Sequence, residues 1–285
     1  VKLARFHTRE DGRSRLGRVD DGRVTDLSGV PGVGTSMRAL LPRLPRMRAV
    51  IEASGGPRHD LPDVILDAPI DDPQKYLAIG MNYKAHAEEA RAAGIAVPVN
   101  QLWFNKQVSC IVGPHADIVK PVVSDQLDYE IELGVVIGAR CRDVAPPDAR
   151  SVIAGYLVTN DVSVRDWLVQ RSPTFTLGKS FDTHGPMGPW LTTADEVSDP
   201  HGLRMRLTVN GEERQNWTTD DMIHRIEDQI AELTTVMTLM PGDVIATGTP
   251  AGIGAPTRNW LRPGDVVRAE IDGLGAIENR VVAAA

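Results

Sequence analysis

The run Leu127-Asp128-Tyr129-Glu130-Ile131-Glu132-Leu133 alternates acidic and apolar side chains and leads straight into Gly134-Val135-Val136-Ile137-Gly138. A period of two is a strand signature, because successive side chains point to opposite faces. Asp128, Glu130 and Glu132 therefore share one face, and Tyr129, Ile131 and Leu133 the other. The apolar continuation predicts a strand over 127–138 set into a core. Carboxylates side by side at the mouth of such a strand repel each other and lose hydration, and a bound cation removes both problems. Hard carboxylate oxygens favour Mg²⁺, Mn²⁺ or Ca²⁺ over zinc. On spacing alone, a solvated edge-strand face fits the same residues. A second apolar run, Gly155-Tyr156-Leu157-Val158-Thr159-Asn160, predicts a strand over 153–160 that ends on Asp161. Acids at the ends of neighbouring strands can converge on one ion, although a lone aspartate there also reads as a turn or cap residue.

The rest of the chain is β-rich. Lys2–Phe6, Arg15–Val19 and Arg23–Leu27 read as short strands separated by Asp11-Gly12 and Asp21-Gly22, which are hairpin signals. Residues 36–53 read as helix interrupted at Pro42 and Pro45. A Pro/Asp-rich connector over 66–73 puts a boundary near residue 70, dividing the chain into 1–70 and 71–285. Tyr76–Gly80 reads as a buried strand. Asn82 is positioned to cap a short helix from Tyr83 to Ala93, ended by Gly94. Residues 171–190, rich in Gly and Pro without a period, read as loop. Ile226, Ile230, Leu233 and Met237 share a helical face within about 220–240, and Pro241-Gly242 ends it. Pro-Gly-Asp-Val occurs at 241–244 and again at 263–266, which predicts two turns that each feed a strand.

Composition closes off several function classes. With 38 acidic against 31 basic residues, the formal charge of −7 argues against a general nucleic-acid binder. No apolar run reaches transmembrane length, and the stretch from Val1 to His7 has no apolar leader. Cys110 and Cys141 make neither a CxxC unit nor a disulfide framework, so a reducing, cytoplasmic setting is expected. Gly178-Lys179-Ser180 imitates the end of a phosphate loop, but Pro173 stands where its first glycine is needed. There is no GxSxG elbow and no HExxH.

Five motifs in order resemble the fumarylacetoacetate hydrolase family: Gly80-Met81-Asn82-Tyr83-x-x-His86-x-x-Glu89, Glu130-Ile131-Glu132-Leu133-Gly134-Val135-Val136, Asn160-Asp161-Val162-Ser163-x-Arg165-Asp166, Gly178-Lys179-Ser180-Phe181-Asp182-Thr183 and Thr247-Gly248-Thr249-Pro250-x-Gly252-x-Gly254. The resemblance covers roughly residues 75 to 282. It implies an α+β, β-rich fold, in which a rolled mixed β-sandwich with short helices follows a small N-terminal α/β accessory domain. It also implies a homodimer acting on a small keto acid, while the acidic charge and the lack of a long apolar run leave no membrane or nucleic-acid partner expected.

By the same resemblance, Glu130, Glu132 and Asp161 are ligands for Mg²⁺ or Mn²⁺. Lys179 stands beside the ion, where an ammonium suits developing enolate charge. Thr249 and Gly248 meet the substrate carboxylate end, and Arg165 is kept near it. His86 and Glu89, three apart on one helix, form an acid/base dyad in which the glutamate orients the imidazole that deprotonates water. On spacing alone, an accidental surface pair is the better reading of His86 and Glu89, and a surface lysine the better reading of Lys179. Residues 90–101 could serve as a mobile lid. One position departs from the pattern: many members carry glutamine seven residues after the metal aspartate, where this chain has Leu168, followed by Val169 and Gln170. That predicts a less polar substrate tail, or a loop in which Gln170 substitutes.

The reading that follows is a divalent-metal hydrolase cleaving a C–C bond in a β-diketo acid such as an acylpyruvate, through an enolate stabilised by the metal and Lys179. Oxaloacetate decarboxylation and dienedioate isomerisation pass through the same enolate and are its alternatives. A non-catalytic metal-stabilised binding protein is a third, which the His86–Glu89 spacing disfavours.

Overall fold

The computed structural model describes residues 1–168 and 171–284. One 12-stranded mixed sheet runs through most of the chain. Its order is Arg58–Asp60, Arg23–Asp26, Arg15–Asp20, Lys2–Thr8, Gly185–Thr193, Ile153–Asn160, Ile131–Ile137, Val244–Ala246, Tyr76–Gly80, Leu102–Lys106, with Val64–Asp67 paired on Lys2–Thr8 and Ile111–Val112 on Gly185–Thr193. A five-stranded sheet packs across it in the order Glu212–Thr218, Arg204–Val209, Val266–Ile271, Gly275–Ala283, Ile118–Lys120. The fold is the strand-rich mixed sandwich that the family resemblance implies, and the first strands continue the large sheet through Lys2 opposite Thr192 and Leu3 opposite Leu191.

The central strand is buried on both faces. Ile131, Leu133, Val135 and Ile137 point between the sheets, against Met205, Leu207, Ala269 and Ile277. Val136 points the other way, with Leu157 and Val244, under Met37, Leu40 and Leu44 of the N-terminal helices. Those helices are Met37–Leu40 and Leu44–Glu52, joined by a tight turn through Pro42; Pro45 opens the second, where its missing N–H costs nothing. Both Pro-Gly-Asp-Val repeats turn into strands, Val244–Ala246 and Val266–Ile271.

Four local expectations need correction. The strand expected over 127–138 is split into Leu127–Asp128 and Ile131–Ile137. Between them the backbone leaves the ladder, and side chains hold it: Glu130 N–H donates to Asn160 Oδ1 (2.9 Å) and Ile131 N–H to Gln215 Oε1 (3.0 Å). Residues 171–190 are not all loop. Leu177–Lys179 forms a 3₁₀ turn and Gly185–Thr193 a strand; Pro189 falls where pairing with Ile153–Asn160 shifts register between Tyr156 and Val158, and Pro186 lies beyond that pairing, opposite Val112. The helix near 226 is shorter than its period suggests, Ile226–Val236, with Met237 already extended.

Asn82 does not cap the helix, which spans Lys84–Ala92 with an extended Tyr83 before it. Its buried amide instead bridges two loops, donating to the carbonyls of Thr247 (2.8 Å) and His224 (3.0 Å) and accepting from His224 N–H (2.8 Å). No helix among the described residues is long and apolar enough to cross a membrane.

Candidate metal and catalytic centre

Strand register builds the centre. Ile131 lies opposite Asn160 and Glu132 opposite Thr159 across the antiparallel pair, and Asp161 N–H donates to the Glu130 carbonyl at 2.8 Å. The start of one strand and the end of its neighbour therefore bring Glu130, Glu132 and Asp161 together. All three are buried, and one oxygen from each lies within 4.8 Å of the others. Asp128, which the alternation puts on the same face, takes a different task. It accepts from Arg165 Nε (2.7 Å) and from the N–H groups of Gly254 (2.7 Å) and Ala255 (3.1 Å).

Two buried lysines and one arginine answer these acids. Lys179 Nζ donates to Glu130 Oε2 (2.7 Å) and Asp161 Oδ2 (2.6 Å). Arg165 bridges Asp128 and Glu130, the latter at 2.5 Å. Lys106, 1% exposed, donates to Asp161 Oδ1 (2.6 Å), to the His184 carbonyl (3.0 Å) and to the Lys179 carbonyl. Sequence reasoning misses Lys106, although a strand period from the buried Phe104 would put it on the inward face.

The electrostatics divide the three acids. Burial works to raise Glu130, but Lys179 and Arg165 outweigh it and hold the carboxyl at about 2. Glu132 goes the other way: burial, then Asp161 and Glu130, push it well above the ordinary carboxylate range. Among the described residues it has no ion-pair partner, and it accepts an N–H from Gly248 at 2.8 Å. Burial opposes the charge on Lys179, yet Asp161 and Glu130 prevail and its ammonium is held more firmly than usual. A buried hard-oxygen triad with one carboxylate lacking a cation fits a divalent ion in its donor set and in its charge.

A cavity of about 380 Å³ opens onto this centre. Glu130, Glu132, Arg165, Lys179 and Thr249 line it, and so do His86 and Glu89 from the helix Lys84–Ala92. His86 Nδ1–H donates to Glu89 at 3.1 Å, since the carboxylate can only accept, and in the neutral ring Nε2 is then the nitrogen that carries the lone pair. Thr249 is on the wall, but its hydroxyl donates to the Ile131 carbonyl (2.8 Å) and accepts from Gln215 (2.9 Å). Gly248 adopts φ +98°, and a Cβ there would approach that of Asn82 to 2.7 Å, so the turn admits only glycine without rearrangement. Leu168 also lines the cavity, whereas Gln170, with Val169, lies outside the described residues.

The model of the fumarylacetoacetate (FAA) hydrolase C-terminal family matches residues 75–282. A Burkholderia cenocepacia protein is 43% identical over 285 residues, covering 96% of each chain. Maleylpyruvate hydrolase from Sphingobium sp. SYK-6, solved with a manganese(II) ion and pyruvate, is similar at a TM-score of 0.86 and 35% identity over 100% of both chains. The 2-hydroxyhepta-2,4-diene-1,7-dioate isomerase from Mycobacterium marinum gives a TM-score of 0.79 and 31% identity, covering 99% of this chain and 98% of its own.

Proposed function

The chain belongs to the fumarylacetoacetate hydrolase family, and on that premise we propose that it is a divalent-metal-dependent hydrolase that breaks a C–C bond in an acylpyruvate. One observation carries the reading: the hydrogen-bonded His86–Glu89 pair opens into the same cavity as Lys179 and the buried acids. Glu130, Glu132 and Asp161 would hold the ion, Mg²⁺ or Mn²⁺. When bound, it supplies Lewis-acid stabilisation of negative charge on the substrate's keto oxygen.

The chain's own residues do the proton work. His86 Nε2 takes a proton from water while Glu89 fixes the ring through Nδ1–H. The water oxygen bonds to the distal carbonyl carbon, and the bond from that carbon to the methylene breaks. Its electron pair stays with the pyruvate fragment as the enolate, and the imidazolium returns its proton to the methylene carbon. The products are a carboxylic acid and pyruvate. The Lys179 ammonium lowers the cost of the enolate charge. Arg165, fixed by Asp128 and Glu130, offers its remaining donors to the substrate carboxylate beside the Gly248–Thr249 turn. The proposal takes residues 1–70 as an accessory part and 71–285 as the catalytic part of a cytoplasmic homodimer.

Isomerisation of a dienedioate is the second reading, supported by the likeness to the Mycobacterium marinum isomerase. Turnover of acylpyruvates, oxaloacetate and dienedioates with Mg²⁺ or Mn²⁺ separates the chemistries. Acylpyruvate cleavage should be fastest. His86→Ala should reduce it by about 10²–10⁴-fold, the usual cost of a lost general base, while sparing decarboxylation. Lys179→Met should slow both. Equal loss of both activities in His86→Ala would remove the hydrolase reading.

A further inference from the structure

The cavity holds more wall than this chemistry uses, and the surplus is hydrocarbon. From Lys179 it can be followed outward: the ammonium stands 5.2 Å from the Phe104 ring centroid, and Phe175 meets Phe104 edge-on at 5.7 Å. Leu168 packs so close to Gly178 that a Cβ there would come within 2.6 Å of it. Buried Ile253 continues the wall, and exposed Ile95 marks its mouth. Phe175 sits at φ 66°, a backbone region that a bulky side chain occupies only under strain, so the fold holds an aromatic ring on this wall against local preference.

Charge points the same way. Among the described lining residues the cationic side chains are Arg165 and Lys179, each already paired with two carboxylates, and titratable His86 is paired with Glu89. At the centre, with all four carboxylates ionised as ligation of a cation requires, Asp128, Glu130, Glu132 and Asp161 face Lys106, Arg165 and Lys179, one negative charge in excess. A bound dication turns this into one positive charge, which a single substrate carboxylate balances. A second carboxylate would stand against apolar wall with no counter-charge, and Glu89 would repel it further.

The geometry points to a monoanionic substrate: an acylpyruvate whose acyl tail is hydrocarbon, in preference to one whose tail ends in a carboxylate. Maleylpyruvate and 2-hydroxyhepta-2,4-diene-1,7-dioate each carry that second carboxylate, so the inference separates this chain from both. It rests on the hydrolase reading for the reaction but not for the tail.

The test compares 2,4-dioxoheptanoate with 2,4-dioxoheptanedioate, equal in length and differing only in a terminal methyl or carboxylate. With Mn²⁺-loaded protein, kcat/KM should favour the monoacid by on the order of 100-fold, as an unpaired charge on an apolar wall demands. Leu168→Arg should narrow that ratio at least about tenfold by supplying a counter-ion. Ile95→Arg, at an exposed position, should narrow it in the same direction. Equal or better cleavage of the diacid by the unaltered protein overturns the tail assignment and leaves the hydrolase reading intact. If neither acid is cleaved, the hydrolase reading falls. Calorimetric binding to the Mn²⁺-loaded protein then decides the tail: tighter binding of the monoacid sustains it, and equal, weaker or absent binding overturns it.

Discussion

Replacing Lys106 with methionine keeps most of the buried stem and deletes the ammonium. Three acceptors then lose a donor at once: Asp161 Oδ1 and the carbonyls of Lys179 and His184. Asp161 keeps Lys179 but loses its other cation, and breaking a buried ion pair from one side costs about 3–5 kcal/mol. The two carbonyls each face a desolvation cost of about 1–3 kcal/mol, partly relieved as the loop relaxes. A net loss of about 3–5 kcal/mol follows. At an unfolding entropy of about 2.1 cal/mol/K per residue, a chain of 285 residues changes by about 0.6 kcal/mol per degree. The thermal midpoint of Lys106→Met in chelator, followed by circular dichroism, should therefore fall by about 5–8 °C. Adding Asp161→Asn to Lys106→Met should cost less than the sum of the two single changes, by about 1 kcal/mol or more. A midpoint within about 1 °C of the unaltered protein, or full additivity, would refute the claim that Lys106 balances Asp161.

Glu132→Gln leaves the core strand in place and removes one ligand. Mn²⁺ at 100 times its dissociation constant should stabilise the unaltered protein by about 2.7 kcal/mol and leave the variant's midpoint unmoved; an equal rise in both would dissociate Glu132 from the ion. A second measurement uses acid. Burial pushes His184 down to about 4, with its Nε2–H on the Val119 carbonyl, so the fold keeps it neutral where the unfolded chain takes up a proton. Its contribution to stability is full above about pH 6.5 and drains as the pH falls towards 4, by about 3 kcal/mol. Denaturant titrations of His184→Gln should have a flatter acid limb over that window, and an unchanged slope would show that His184 is not the group responsible.

Much of the centre is legible in the chain because it rests on local periodicity. Alternation alone puts Glu132 opposite Ile131 and Leu133, and the apolar run ending at Asp161 yields a strand whose last residue faces the first of its neighbour. Contacts set by long-range side-chain bonds are another matter. Gln215 interrupts the strand at Ile131 from 84 positions away, and Asn82 reaches His224 across 142. Nothing in the sequence around Asn82 distinguishes a cap from a bridge, since both uses need the same short amide. Lys106 was hidden for a related reason: a lysine ordinarily stays in water, and only the convergence of one carboxylate and two carbonyls makes its burial tolerable. The strand through Gly185-Pro186 and Gly188-Pro189 was obscured because proline lacks the N–H that a ladder asks for, while its neighbours supply enough.

The pairing of Leu3 with Leu191 sets a timetable for the nascent chain. At about 5–20 residues per second, a ribosome needs about 10–40 s to deliver the second partner after the first. The hairpins of the first 70 residues can close in that interval. Their apolar face, built from Leu3, Leu16, Met37 and Leu40, waits for Leu157, Leu191 and Val244. During translation it is a sticky surface with no cover, so the yield of folded protein should follow chaperone supply and translation speed more closely than the stability of the finished molecule.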